Sequence, residues 1–154
     1  MGKSVYLAGP FFSTKQIQLI ENVKLELLKN STISEVYAPY DNQTINSDLD
    51  IKKGTDSWSN YIAQLDYRHV READIVFGVL DFDGKDTDSG TAAEIGYAHA
   101  LNIPTFLLQT DSSVEANLML TFPNYYYGFF DNTEDIKNYD FNIMRQTPFT
   151  GKYI

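Results

Sequence analysis

The 154-residue sequence contains no cysteine and only two histidines, His69 and His99. The absence of cysteine excludes disulfide bonds, thiolate nucleophiles and zinc sites built on cysteine. Two histidines are too few for most transition-metal sites, and both lie in helical segments rich in apolar residues. We therefore expect structural histidines and no bound metal.

Phosphate-binding and calcium-binding motifs are also missing. The turn LAGPFFS has neither the G-x-G-x-x-G spacing nor a Walker-type lysine. The acidic segment DFDGKDTDSG resembles a calcium loop, but Gly84 stands at its fourth position instead of the sixth, and the twelfth position is Ala92 instead of Glu. We interpret this segment as solvated surface, and we expect no cofactor.

Positive charge is scarce, since 12 Lys and Arg face 21 Asp and Glu, for a net charge of −9. An acidic chain without a basic patch argues against binding to nucleic acid polymers. No apolar segment approaches the roughly 20 residues of a membrane span, and the apolar run at the start is too short for a signal peptide. We expect one cytoplasmic domain, residues 1–154, that does not contact a membrane.

Strand and helix patterns alternate along the chain. Apolar runs predict strands at 3–9, 34–40, 74–81, 103–109 and 124–130. Helical spacing predicts helices at 13–30, 56–73 and 88–102, a helical piece at 113–120 and a small helix near 132–138, before an irregular tail. This alternation predicts an α/β fold, a flavodoxin-like or Rossmann-like three-layer sandwich with a five-stranded parallel sheet.

Ligands of such sheets bind beyond the carboxyl ends of the strands. The loops that follow the first three predicted strands are GPFFS, PYDNQ and DFDGKDTDSG. We expect all three loops to open on the same edge of the sheet. A candidate site therefore belongs at this edge.

Glu94 lies in the predicted helix of DTDSGTAAEIGYAHALNIP and has two interpretations. In the first, Thr91 caps the helix and Glu94 reaches back to the cap amide, as in a capping box. In the second, the helix begins at Asp88 or Ser89, and Glu94 lies past the first turn among small residues with no cation at helical spacing. An ionised, partly desolvated carboxylate in that position is suited to nucleophilic attack.

Two aspartates are further candidates. Asp66 has no lysine or arginine among its neighbours at three and four residues in the predicted helix, although a lone aspartate is more often solvent-facing. Asp88 precedes Ser-Gly-Thr and is a natural helix cap, and a cap at this edge of the sheet also lies in the expected ligand pocket. The structural and functional interpretations of Asp88 are compatible.

Several segments, taken together, resemble the nucleoside 2-deoxyribosyltransferase family. They are VYLAGPFFSTKQ, APYDNQ, QLDYRHVREADIVFGVLD, DSGTAAEIGYA, ANLML and the short aromatic C-terminus GKYI. Each is weakly specific alone, whereas the ordered set covers most of the chain. The resemblance implies an enzyme of nucleotide salvage that moves 2-deoxyribose between nucleobases, acts on deoxyribonucleosides and free bases, and needs no cofactor.

The resemblance also assigns catalytic roles. It implies that Glu94 is a nucleophile that forms a covalent deoxyribosyl-enzyme with retention of configuration, and that Tyr6 holds Glu94 by a hydrogen bond. Asp88 and Asp66 are the implied active-site aspartates, and Asp88 is favoured for contact with the base. Which of the two protonates the leaving base stays open.

Substrate-binding roles are implied for Gln43, Phe11, Gly9, Asn117 and Met119. The family resemblance places Asn117 and Met119 in the pocket of a neighbouring subunit, within a homohexamer. Gln43 favours an enzyme that accepts both purines and pyrimidines.

Two other functions remain possible. A deoxynucleoside-monophosphate N-glycosidase needs donors for the 5′-phosphate after the first strand, where GPFFSTKQ offers Lys15 and no arginine. A non-catalytic nucleoside- or nucleotide-binding module on the same fold is the other alternative.

Overall fold

A computed structural model describes residues 2–42, 51–122 and 126–154. Its strands are β1 (Lys3–Ala8), β2 (Ile33–Tyr37), β3 (Ile75–Val79), β4 (Thr105–Leu108), β5 (Glu115–Ala116), β6 (Tyr126–Phe130) and β7 (Lys152–Tyr153). Its α-helices are α1 (Thr14–Lys29), α2 (Asp56–Glu72) and α3 (Ser89–Ala100), and short 3-10 helices span Pro39–Asn42 and Ile136–Asn138.

The main sheet has the strand order β2-β1-β3-β4-β6, and every neighbouring pair is parallel. The predicted α/β fold with a five-stranded parallel sheet is confirmed. The chain runs from β1 outward to β2 and then crosses back to β3, so the strand order reverses between β1 and β3. In doubly wound sheets, such a reversal opens a crevice at the carboxyl edge.

The helices begin where local chemistry satisfies their first amides. Ser13 caps α1 by accepting from the amide of Gln16, whose side chain in turn accepts from the Ser13 amide. Thr55 caps α2 by accepting from the amide of Trp58. Asp88 caps α3 by accepting from the amide of Thr91.

The two faces of the sheet are covered by different helices. Val5 and Leu7 of β1 pack in a core with α1, while Tyr6 and Ala8, which point the other way, pack with α2 and α3. Of the α2 side chains, only Val70 is fully buried. A half-exposed α2 leaves room beside α3 for a cavity that opens to solvent.

The predicted helical piece at 113–120 is wrong. Residues Glu115–Ala116 form β5, which pairs in parallel with β7 in the tail that we expected to be irregular. The amide of Ile154 donates to the Ala116 carbonyl, and the amide of Leu118 donates to the Ile154 carbonyl. Pairing with a segment more than 30 residues away overrides the local helical pattern.

Within the described ranges, no helix has both the length and the apolarity needed to cross a bilayer.

Candidate active site

Tyr6 and Glu94 form the central contact of the site. Tyr6 is completely buried on β1, and its hydroxyl donates a hydrogen bond of 2.6 Å to Glu94 Oε1 on α3. The bond joins residues 88 positions apart and fixes the carboxylate against the sheet. The structure thus brings together the two residues that the sequence predicted as a pair.

The start of α3 decides between the two interpretations of Glu94. Asp88 is the cap residue, so the third residue of the helix is Thr91, and Glu94 lies three positions beyond it. A capping box needs the glutamate at the third position. The capping-box interpretation of Glu94 is therefore wrong, and its carboxylate bonds to Tyr6 instead of a cap amide.

Burial raises the pKa of Glu94 to about 7, and the nearby carboxylates of Asp66 and Asp88 act in the same direction. The hydrogen bond from Tyr6 opposes this rise because it favours the ionised form. Burial also raises the pKa of Tyr6, with Glu94 adding to the effect, so the phenol stays protonated and remains a donor. Near neutral pH, Glu94 is populated in both its carboxylate and carboxylic acid forms.

Asp66 faces the same cavity from α2. The cavity has a volume of about 290 Å³ and is lined by both Asp66 and Glu94. Burial raises the pKa of Asp66 to about 6, and a hydrogen bond from the Tyr37 hydroxyl at 3.5 Å opposes the rise. Two carboxyl groups with raised pKa values at one cavity are typical of acid–base chemistry.

Trp58 lines this cavity, although the sequence analysis gave it no functional role. Among the described residues, its buried indole Nε1 has no hydrogen-bond acceptor. A buried indole N–H normally finds a partner, which makes this group a candidate donor to a ligand. The signal in the sequence is that Trp58 is the single tryptophan and lies two turns before Asp66.

Small residues make the cavity accessible from α3. Gly90 and Ala93, which precede Glu94 in α3, line the cavity together with it. Asp88 lies at the start of the same helix and uses Oδ2 to accept from both the amide and the hydroxyl of Thr91. Within the described chain, its Oδ1 accepts no hydrogen bond, so the cap function leaves one oxygen for a ligand.

Aromatic side chains follow the carboxyl ends of three adjacent strands. Phe11 after β1 contacts Tyr40 after β2, and it also contacts Phe12, which in turn meets Phe82 after β3. Phe12 is 67% exposed, so this aromatic strip faces solvent at the predicted ligand edge. The strip offers planar surface for a flat ring.

Gly9 and Gln43 are the other predicted binding residues near this edge. A Cβ atom on Gly9 would lie 2.3 Å from Ile20 Cδ1 and 3.1 Å from Val79 Cβ, so a larger residue after β1 would make the end of the Ile20 side chain shift. A role of Gly9 in substrate binding stays a prediction. Gln43 lies outside the described residues.

We had expected the acidic segment after β3 to be solvated surface, but two of its aspartates bond to other parts of the chain. Asp83 Oδ2 accepts from Gln16 Nε2 at 2.6 Å and from Ser13 Oγ at 3.1 Å. Asp81 accepts from the amide and hydroxyl of Thr110 and from the amide of the next residue. The segment is therefore braced on one side by the β1–α1 loop and on the other by the loop after β4.

Asn117 and Met119 do not meet Glu94 within one chain. They line a larger cavity of about 740 Å³ against α3, next to Ala92, Gly96 and His99. Glu94 and Asp66 are not among the residues that line this second cavity. The two cavities lie on different faces of α3.

Comparison with known proteins identifies the family of the chain. The model of the nucleoside 2-deoxyribosyltransferase family matches residues 5–147. A nucleoside deoxyribosyltransferase of Limosilactobacillus fermentum is 29% identical over 153 residues, which cover 94% of this chain and 90% of that protein.

Solved structures give the same result. The 2-deoxyribosyltransferase of Bacillus psychrosaccharolyticus has a TM-score of 0.77 and 28% identity, over 95% of this chain and 98% of that one. The Leishmania mexicana 2-deoxyribosyltransferase has a TM-score of 0.61 and 25% identity, over 87% and 93%. The protein therefore belongs to the nucleoside 2-deoxyribosyltransferase family and is an enzyme of deoxyribosyl transfer.

Proposed function

We propose that this enzyme moves 2-deoxyribose between nucleobases by double displacement through Glu94. The ionised carboxylate attacks the anomeric carbon, the bond to the first base breaks, and a covalent deoxyribosyl-Glu94 ester forms. A second base then attacks the same carbon and releases the carboxylate. Two inversions give net retention of configuration.

The observation that carries this proposal is the 2.6 Å bond from Tyr6 to Glu94, in a cavity that Asp66 also lines. The bond orients the nucleophile and favours its ionised form. The departing base takes a proton from a carboxylic acid, and the incoming base returns one to the same group. Asp66 and Asp88 are the candidates, since Asp66 faces the cavity and Asp88 has a free oxygen at the start of α3.

Burial raises the pKa values of Glu94 and Asp66 to about 7 and about 6. Between these values, the pair holds close to one proton in total. Two interacting carboxyls of this kind titrate as a unit. Because Glu94 has the higher pKa, that proton rests mostly on Glu94, and the reactive arrangement, with Glu94 ionised and Asp66 protonated, is the less populated of the two.

The test is to incubate the protein with thymidine and free adenine and to measure deoxyadenosine. Transfer supports the proposal, and Glu94→Ala is expected to abolish it without loss of the fold. Release of thymine without deoxyadenosine, or turnover of the monophosphate alone, supports the hydrolase instead. Binding without any turnover supports the non-catalytic module.

We also propose acceptance of both purines and pyrimidines, which rests on the family resemblance at Gln43. Competition among adenine, hypoxanthine, cytosine and thymine as acceptors tests this breadth. Formation of purine deoxynucleosides alone would overturn it.

We also propose that Asn117 and Met119 complete the site of a neighbouring copy, within the homohexamer that the family resemblance implies. Since they line a cavity on another face of α3 from Glu94, each reaches a catalytic cavity only in another copy of the chain. Leu118, Met119 and Phe122 are large apolar side chains that are exposed in a single chain, as an interface would be. Light scattering gives the oligomeric state.

Complementation tests the sharing itself. A mixture of Glu94→Ala and Asn117→Ala chains contains sites that combine an intact Glu94 with an intact Asn117. Such a mixture regains transfer activity that neither variant has alone. A fully active monomer, or a mixture that regains nothing, contradicts shared sites.

A further inference from the structure

Tyr37 lies beside Tyr6 in the sheet, in the directly paired position of β2. The two rings stack with centroids 5.7 Å apart and planes 20° apart. As the Tyr6 hydroxyl donates to Glu94, the Tyr37 hydroxyl donates to Asp66 Oδ1. Adjacent strands therefore present two tyrosine–carboxylate pairs side by side at one cavity.

His69 completes the surroundings of Tyr37. Asp66 and His69 are three residues apart on α2, so their side chains leave the same face of the helix. The imidazole stacks on the Tyr37 ring with centroids 3.7 Å apart and planes 15° apart. One turn of α2 thus supplies both the acceptor of the Tyr37 hydroxyl and a flat support for its ring.

The titratable groups that face Asp66 are Tyr37 from β2, Tyr6 from β1 and Glu94 from α3. Among the described residues, Tyr37 is the hydrogen-bond donor to this carboxyl. Its distance of 3.5 Å is at the long limit for an O–H···O bond, so the carboxyl is held loosely enough to reach a substrate.

The surroundings of His69 favour its neutral imidazole. Burial lowers the pKa of its imidazole, and the cationic Arg68 beside it acts in the same direction. Glu72 on α2 and Glu35 on β2 oppose that effect. The imidazole therefore stacks on Tyr37 as a neutral ring.

We propose that Tyr37 is a positioning residue of the transfer reaction: its hydroxyl holds the Asp66 carboxyl at the cavity that Glu94 shares, and His69 fixes the ring that carries this hydroxyl. The inference rests on the proposed function, in which an aspartate exchanges a proton with the base. Tyr37 acts through Asp66 and is not itself a catalytic residue.

Tyr37→Phe keeps the ring stack and removes the donor, and its first test needs no catalysis. The free energy of unfolding of the wild type is compared with that of Asp66→Asn, and that of Tyr37→Phe with that of the double variant Tyr37→Phe/Asp66→Asn, from about pH 4 to 9. The difference within each pair levels off at the pKa that Asp66 has in the folded protein. Because Tyr37→Phe removes a hydrogen bond that favours the ionised form, it raises this pKa by about half to one unit. An unmoved titration overturns the inference.

The second readout is the pH dependence of kcat for transfer from thymidine to adenine. The limb that belongs to Asp66 moves to higher pH in Tyr37→Phe by the same amount, whether Asp66 acts protonated or ionised. A structural role of the tyrosine would lower kcat at every pH and leave the limb in place. Tyr139→Phe is the matched control, because its hydroxyl donates to the Arg145 carbonyl on the α1 side of the sheet.

Variants of His69 test the support of the ring. His69→Ala lowers kcat roughly tenfold with KM unchanged, while His69→Phe, which restores a flat ring, recovers most of kcat. Equal kcat in both variants contradicts this part. If the wild type transfers no deoxyribose, the proposed function fails, but the unfolding test still shows whether Tyr37 holds the Asp66 carboxyl. If transfer occurs and neither readout moves, the positioning role of Tyr37 fails.

Discussion

Replacing Glu94 by glutamine is expected to stabilise the fold at alkaline pH while it removes the proposed nucleophile. Glutamine has nearly the shape of the carboxylic acid, and its carbonyl can still accept from the Tyr6 hydroxyl. The wild type has to keep a carboxylate in a buried place above neutral pH, and the variant does not. The gain in stability should therefore depend on pH.

The size follows from the pKa of Glu94, which burial raises from 4.5 to about 7. Between these values, the folded protein binds the proton more tightly than the unfolded chain does. The contribution of Glu94 to stability is thus fully present below about pH 4.5 and is lost as the pH rises through about 7. From pH 5 to pH 8, this loss is about 2 to 3 kcal/mol at 1.36 kcal/mol per pKa unit.

The assay is urea unfolding of both proteins at about pH 5 and pH 8, at one protein concentration because association adds to apparent stability. Glu94→Gln should exceed the wild type by about 2 to 3 kcal/mol more at pH 8 than at pH 5. Glu21→Gln on the exposed side of α1 is the control, since it removes one charge from a chain of net charge −9 without changing the site.

Two results would refute this prediction. If the difference between Glu94→Gln and the wild type is the same at both pH values, then burial does not penalise the Glu94 carboxylate. If Glu21→Gln shows the same pH dependence as Glu94→Gln, the effect comes from net charge and not from the cavity.

Three other predictions concern the site. Transfer activity should be bell-shaped in pH with its maximum between about 6 and 7, because Glu94 must be ionised while an aspartate such as Asp66 is protonated; a rate that rises steadily to pH 9 contradicts this. Trp58→Phe should raise the KM for the nucleoside and leave the urea midpoint unchanged, and an unchanged KM excludes the indole as a ligand donor. Asp83→Ala should lower the free energy of unfolding in urea by about 1 to 2 kcal/mol, whereas Asp83→Asn should lower it much less because asparagine keeps an acceptor. Asp86→Ala is the control in the same loop and should change it very little. Equal losses in the three variants contradict a stabilising role for the hydrogen bonds of Asp83.

Local patterns were enough to predict the layers of the fold. Runs such as DIVFGVLD are apolar throughout, as a parallel strand covered on both faces must be, and β3 lies within that run. The small residues around Glu94 and the absence of a nearby cation also indicated a special carboxylate. These are properties of neighbours in sequence, which a helix or strand converts directly into neighbours in space.

The rest depends on contacts between distant segments. The pairing of β5 with β7, the bond from Gln16 to Asp83 across 67 residues and the stack of His69 on Tyr37 leave no local signature. For the same reason, the sequence pattern of α2 groups Trp58 and His69 with its apolar residues. In the structure, Trp58 lines the cavity of Glu94 and His69 stacks on Tyr37. An amphipathic pattern predicts which face of a helix is covered, but not whether protein or ligand covers it.

The choice of tyrosine as the partner of each carboxyl follows from what the site has to do. A lysine or arginine beside Asp66 would hold its carboxylate ionised at all working pH values, and a carboxylate that stays ionised cannot supply the proton that the proposed reaction gives to the leaving base. A phenol donates a hydrogen bond without bringing a positive charge. Burial keeps Tyr6 protonated and raises the pKa of Tyr37 to about 12, so both remain donors while the carboxyls titrate near neutrality. The two phenols thus orient both carboxyls without a neighbouring positive charge, which leaves Asp66 able to exchange a proton in the proposed reaction.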